Sequence, residues 1–251
     1  MMKTKKLNLP KINPKNNPQK KLLIKDHLNE LVHRFYSWLF FFIIGSIFGY
    51  LNYSRLLDWL ITPLHRPLFY TSPIGGFEAV FGVSTLFGFV ISLPIVVFHV
   101  VKFIEPVSDN SIGKKIFVYL FISFLLAIVG ILVSYYLVFP ASLKFLGEFG
   151  SSQLEALIST KDYFNFITRY LLGFAVLFQL PLIIYLVSLF TPLSAALLLK
   201  QFKYVFIGSF LIAAILTPTP DFVNQTIMAT PIILLYLITI LTLKIQHVIL
   251  K

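Results

Sequence analysis

The stretch that decides the fold is ILTPTPDFVNQTIMATP, residues 215–231. Apolar runs close on it from both sides, yet it holds Pro218, Pro220, Pro231 and Asp221. Proline cannot continue a helix and forces extended backbone on the residue before it, so the chain must turn here. Asp221 stands where a carboxylate accepts hydrogen bonds from the free N–H groups that open the next helix. An ionised group on irregular backbone is tolerated at an aqueous face and not in lipid. The stretch therefore reads as a corner at a membrane surface with one helix on either side.

Working outward, the flanking runs are Tyr204–Leu216 and Ile227–Leu243. At 1.5 Å per residue they reach roughly 20 and 26 Å, short of a hydrocarbon core of about 30 Å. Such a pair is either a re-entrant hairpin or two short spans beside a locally thinned bilayer. A corner at the aqueous surface favours two short spans. Four longer runs precede them: Phe35–Tyr53, Val80–Val101 with Pro94 inside, Ile116–Phe139, and Phe164–Leu189 with Arg169, Gln179 and Pro181. The expected fold is an all-α integral membrane protein of six transmembrane helices, the last two short.

Composition agrees. Of 251 residues, 57% are hydrophobic and 12% charged, about half the charged share of a soluble domain. A net charge of +11 would suggest nucleic acid in a soluble protein, but nine of the 21 Lys and Arg fall within residues 1–34, against Asp26 and Glu30. A polybasic segment beside a span marks the cytoplasmic side and attracts anionic lipid, so no nucleic-acid partner is expected. Residues 1–25 read as a basic disordered cytoplasmic tail and 26–247 as the six-helix membrane domain. The apolar run after the tail is too long for a secretory signal peptide and has no small-residue cleavage site. With both termini inside, 16 positive residues face the cytoplasm and five (Arg55, Arg66, Lys144, Lys161, Arg169) face out, as the positive-inside rule requires.

Polar residues within spans are functional candidates by default. Gln179, in FQLP, either hydrogen-bonds a neighbouring helix or meets a partner. Arg169 reads as snorkelling to the outer interface, and Pro94 and Pro181 as kinks. No cysteine is present, which excludes disulfides and thiolate metal sites. The five histidines include no zinc-binding pair, and nucleophile-elbow, phosphate-loop and paired intramembrane carboxylate patterns are absent. The expectation is no enzyme, no catalytic residue, no cofactor and no metal.

Recognition at the cytoplasmic face remains. DHLNELVHRF, residues 26–35, sets Asp26, Glu30 and Arg34 on one helical stripe. The stripe is either a solvated, salt-bridged face or part of a binding surface. The loop KFIEPVSDNSIGKK, residues 102–115, adds Glu105 and Asp109. Carboxylates pair bidentately with guanidinium, so a cationic ligand suits this face.

These residues resemble a known family. His27, Leu28, Glu30, Leu31 and Arg34 are similar to the H-L-x-E-L-x-x-R signature that opens TatC, the six-span receptor of the twin-arginine protein translocase. Further similarities follow in order: Pro63 in TPL, Phe103 and Pro106 in FIEP, Phe139 and Pro140 in VFP, FQLP at 178–181, and LTPTPDFVNQTIMATP. The resemblance implies spans that curve into a concave receptor in a bacterial cytoplasmic membrane, or alternatively an organelle inner or thylakoid membrane. It implies binding of twin-arginine signal peptides of folded precursors by His27, Glu30, Arg34, Phe103, Glu105, Pro106 and Asp109. It implies docking of TatA- or TatB-type single-span partners near Gln179 and Pro181, self-association, and transport driven by the proton-motive force. Pro63, Pro140, Pro218, Pro220 and Asp221 take structural roles. The chain departs from the family pattern at Val32, where Arg is frequent, at Ile112, where the inner loop usually has Glu, and at Gln179, where many members have a carboxylate. The alternatives are a small-molecule secondary transporter, which needs coupling-ion ligands near the midplane, and a scaffold of the same fold without strict arginine recognition.

Overall fold

The structure, a computed structural model, describes residues 18–64, 66–104, 115–147, 157–188, 193–217 and 221–249. The chain forms two compact units, residues 1–37 and 38–251, which are taken separately.

The helices are α1 (Pro18–Leu51), α2 (Tyr53–Ile61), α3 (Gly75–Ile104), α4 (Ile116–Val133), α5 (Phe139–Gly147), α6 (Thr160–Leu177), α7 (Leu180–Ser188), α8 (Ala195–Leu216) and α9 (Phe222–Ile249). A π-helical turn, Ser134–Val138, joins α4 to α5 without a break. Six stretches are long and apolar enough to cross a membrane: 29–51, 75–102, 116–147, 160–188, 195–216 and 222–245. These are the six expected spans.

Their ends differ from the apolar runs, and the differences share one cause. Hydropathy marks contact with lipid, whereas a helix continues until its backbone bonding is interrupted. Helix α1 therefore starts at Pro18, eight residues before the boundary expected at 26. Proline is well placed there, since a first-turn N–H has no helical partner to lose. The third span runs on through Pro140 to Gly147 instead of giving way to a loop at 140. The π turn lets the Phe139 N–H bond the Ser134 carbonyl five residues back, a widened turn of the kind that absorbs a local irregularity within a helix. The segment that follows the first apolar run begins with helix α2.

The last two helices extend beyond their apolar runs. Helix α8 is 22 residues long and α9 is 28, while their membrane-crossing stretches, 22 and 24 residues, are shorter than the 28, 32 and 29 of the second, third and fourth spans. Ser194 starts α8 by accepting a hydrogen bond from the Leu197 N–H at 3.1 Å, and its next turns carry Lys200, Gln201 and Lys203. The Lys203 ammonium lies over the Tyr204 ring, 4.9 Å from its centroid, as expected of a lysine stem lying along apolar surface.

In lipid, helix association relies on close packing and interhelical hydrogen bonds instead of water exclusion. Within residues 38–251, α3 packs on α4 and α6, α4 on α6, and α9 on α8, α7 and α5. Small residues permit the closest approaches. A Cβ on Gly88 of α3 would sit 2.6 Å from the Phe42 carbonyl oxygen, and one on Gly130 of α4 would sit 2.7 Å from that of Phe174. The centre is aromatic: Phe139 packs its ring against Tyr163, Phe166 and Tyr170 at centroid separations of 5.7, 5.3 and 5.9 Å. All four rings are buried.

Candidate functional site

Gln179 sits where the fourth span is interrupted. Pro181 has no N–H to offer the Leu177 carbonyl, and Phe178 and Gln179 form a turn between α6 and α7. The backbone tightens there, with the Gln179 N–H bonded to the Val176 carbonyl three residues back. In place of the kink expected at Pro181, the helix gives way to a two-residue turn at 178–179. The Gln179 side chain is buried, only 4% exposed. Its oxygen accepts a hydrogen bond from the Ser123 hydroxyl at 2.7 Å, and its amide nitrogen donates to the Ser123 and Ala175 carbonyls at 3.1 and 3.3 Å. The amide therefore ties α4 to the turn of the fourth span, the first of the two roles read for it. Ser123 escaped sequence reasoning; its one signal was a hydroxyl in the otherwise apolar run of α4.

The second candidate lies in the unit of residues 1–37. His27 is within α1, and further along Glu30 and Arg34 form the expected i, i+4 ion pair, Nη2 donating to Oε1. The Glu30 side chain is half exposed and that of Arg34 about one-fifth. An exposed pair of this spacing is worth about 0.3–0.5 kcal/mol. Phe103 belongs to α3, next to the final residue Ile104. Glu105, Pro106 and Asp109 lie outside the described residues.

Asp221 closes the corner as expected: its Oδ1 accepts from the Asn224 N–H at 2.6 Å, its Oδ2 from the Asn224 amide at 3.0 Å, and its carbonyl from the Gln225 N–H at 3.2 Å. Asn224 is fully buried. Pro218 and Pro220 lie outside the described residues. Pro63 sits in the 3-10 turn Thr62–Leu64 that follows α2, and Pro140 sits in the second position of α5.

Sequence reasoning also missed a long-range fastening. The Phe69 N–H donates to the Ile158 carbonyl at 3.1 Å, and the Phe69 carbonyl accepts from the Thr160 N–H at 2.9 Å, an isolated parallel bridge between the segment after α2 and the one before α6. Lys161 pairs with Glu78 at 3.2 Å beside it. Tyr135 and Tyr163 donate their hydroxyls to the Trp59 and Leu60 carbonyls, closing the last turn of α2. The separations, 76 to 103 residues for the two tyrosines, explain why no local pattern announced them.

Among the described residues no cluster of His, Asp or Glu could hold a metal ion. Six apolar spans, a broken fourth span pinned by an amide, a capped start to the last helix and an exposed acid–base pair define a polytopic membrane protein organised around helix packing. The sequence profile of the Sec-independent protein translocase protein (TatC) family matches residues 26–231, and the chain belongs to that family. The chain is 33% identical over 221 residues to the Sec-independent protein translocase protein TatC of Helicobacter pylori (strain ATCC 700392 / 26695), covering 88% of this chain and 87% of that one. It is 33% identical over 227 residues to the uncharacterized tatC-like protein ycf43 of Gracilaria tenuistipitata var. liui, covering 89% and 94%. The crystal structure of the twin arginine translocase receptor TatC in DDM superposes with a TM-score of 0.77 at 28% identity, over 87% of this chain and 99% of that one. The protein is thus an integral membrane component of a Sec-independent protein translocase, in a bacterial or organelle membrane.

Proposed function

We propose that this chain is the receptor of its translocase, binding twin-arginine signal peptides of folded precursors at Glu30, with His27, Arg34, Phe103, Glu105, Pro106 and Asp109 completing the site. The observation that carries the reading is the exposed Glu30 carboxylate in its signature, on the helix surface beside Arg34 one turn away. A guanidinium fork can engage both carboxylate oxygens, and displacing a surface ion pair costs little. No side chain is asked to break a covalent bond, so the protein acts without catalysis or cofactor, as a binding and recruiting subunit driven by the proton-motive force. Both termini face the cytoplasm, residues 26–247 act as one membrane domain, and the chain associates with copies of itself.

Partner single-span helices of the TatA or TatB type dock beside Gln179 and Pro181. The support is the surface next to the buried amide, where Val176, Ile183 and Val187 are exposed. The amide fixes that surface and does not itself reach the partner. The transporter alternative finds no support at this point, since the deep amide is consumed by Ser123 and Ala175. The scaffold alternative rests on Val32 and Ile112, two positions where the family pattern carries charge and this chain does not.

The deciding experiment titrates the purified protein in nanodiscs with a signal peptide bearing Arg-Arg and with its Lys-Lys counterpart. At least tenfold tighter binding of Arg-Arg, about 1.4 kcal/mol, is expected. Equal affinities would move the scaffold reading to the front.

A further inference from the structure

Three of the five cations assigned to the outer face, Arg66, Lys144 and Arg169, line one cavity of about 780 Å³. They come from the segment after α2, from the last turn of α5 and from α6, so no local sequence pattern brings them together. Among the described lining residues there is one acid, Asp162, against the three cations, and the walls are apolar, including Leu143, Tyr163 and Phe166. All three cations are exposed, and among the described residues none of them is in an ion pair. Arg169 lies nine residues into α6, about 14 Å along its axis, so the cavity extends from the helix ends to the depth of the membrane interface.

The positive-inside rule makes cations scarce at this face, and a cation on a span requires water or a counter-charge. A lone snorkelling arginine would account for Arg169. It does not account for Lys144 and Arg66 converging on the same cavity, nor for the apolar wall opposite them. We propose that this cavity binds the phosphate headgroup of an anionic phospholipid of the outer leaflet, with Arg66, Lys144 and Arg169 on the phosphate and the apolar wall against the glycerol and first acyl carbons. The Arg guanidinium is suited to bidentate phosphate contact and the Lys ammonium to a point-charge contact. The site is separate from Glu30 and does not depend on signal-peptide recognition. By pinning α5 to α6 and the segment after α2, a bound lipid would stabilise the outer end.

The test is native mass spectrometry and thermal unfolding of the purified full-length protein with added phosphatidylglycerol or phosphatidylcholine of identical acyl chains. Phosphatidylglycerol is expected to bind at least tenfold tighter and to raise the unfolding temperature. Arg66→Gln/Lys144→Gln/Arg169→Gln should reduce that to the phosphatidylcholine level, while Lys200→Gln/Lys203→Gln on α8 should leave it intact. If the triple variant does not fold, Lys144→Gln alone, at an exposed position, should lose severalfold, as about 1 kcal/mol per cation near an anionic lipid implies. Equal binding of the two lipids, or a preference that survives the pocket variants, would overturn the proposal. So would inorganic phosphate that displaces phosphatidylglycerol at millimolar concentration, since the ligand would then be the free anion. Signal-peptide titration in phosphatidylcholine nanodiscs is unaffected by any of these outcomes, so failure here and failure of the receptor reading remain distinct.

Discussion

Gln179 and Glu30 are both polar residues on helices of a membrane protein, and their surroundings are opposite. The Gln179 amide is buried, with its oxygen and nitrogen bonded to Ser123 and to the Ala175 carbonyl. Glu30 is half exposed and held by a surface pair one helical turn away. A polar group consumed by its own fold is architecture, because rearranging it would leave buried donors and acceptors without partners. One held by a screened surface pair is available to a ligand at small cost. By this physical measure Glu30 suits the proposed receptor surface better than Gln179, whose amide is taken up within the fold.

The comparison breaks most severely at Gln179→Glu. An ionised carboxylate would place an oxygen against the Ser123 carbonyl, which now accepts from the amide nitrogen at 3.1 Å. The expected cost is about 3 kcal/mol or more, the penalty of an uncompensated buried charge, read as a large loss of thermal stability with unchanged peptide affinity in the folded fraction. An unchanged unfolding temperature would show that this turn opens to water, and the architectural reading of Gln179 would fall.

Glu30→Ala should do the reverse. Loss of charge-assisted hydrogen bonds to a guanidinium is worth about 1.5–3 kcal/mol, so Arg-Arg peptide binding should weaken at least tenfold. The unfolding temperature should stay within a degree or two, as the pair with Arg34 contributes so little. Equal peptide affinity for wild type and variant would remove Glu30 from the site. Asp221→Ala ranks third: loss of the cap should cost about 1 kcal/mol, lower the unfolding temperature by a few degrees and leave peptide affinity alone. A fall in peptide affinity with Asp221→Ala would mean that the capped start of α9 takes part in recognition.

The same contrast explains what the sequence could and could not disclose. The six spans were legible because a run of about 20 apolar residues has few other fates. Asp221 was legible because capping is local, joining residues three and four apart. The Glu30–Arg34 pair was legible for the same reason. Helix ends were not, since Pro18, Ala195 and Gly147 mark where backbone bonding stops and hydropathy does not report it. Ser123 was illegible because it meets Gln179 across 56 residues, and the Phe69–Thr160 fastening because it joins segments 91 residues apart. Both join residues far apart in the chain, and neither leaves a period in it.

The smallest effect carries the sharpest test of how Gln179 acts. Ser123→Ala removes one hydroxyl donor yet leaves the Ser123 backbone carbonyl to accept from the amide, and it opens no polar group to lipid except the Gln179 oxygen. Interhelical hydrogen bonds in membranes average only about 0.6 kcal/mol, because the separated helices find other partners. A double-mutant cycle of Ser123→Ala with Gln179→Leu should therefore return a coupling of about 0.6 kcal/mol in unfolding free energy. A coupling near zero would mean that the two groups meet without holding α4 to the broken span. The exposed Val176, Ile183 and Val187 face would then be set by side-chain packing alone, and the partner surface would have to be sought in the aromatic and small-residue contacts instead of in the amide.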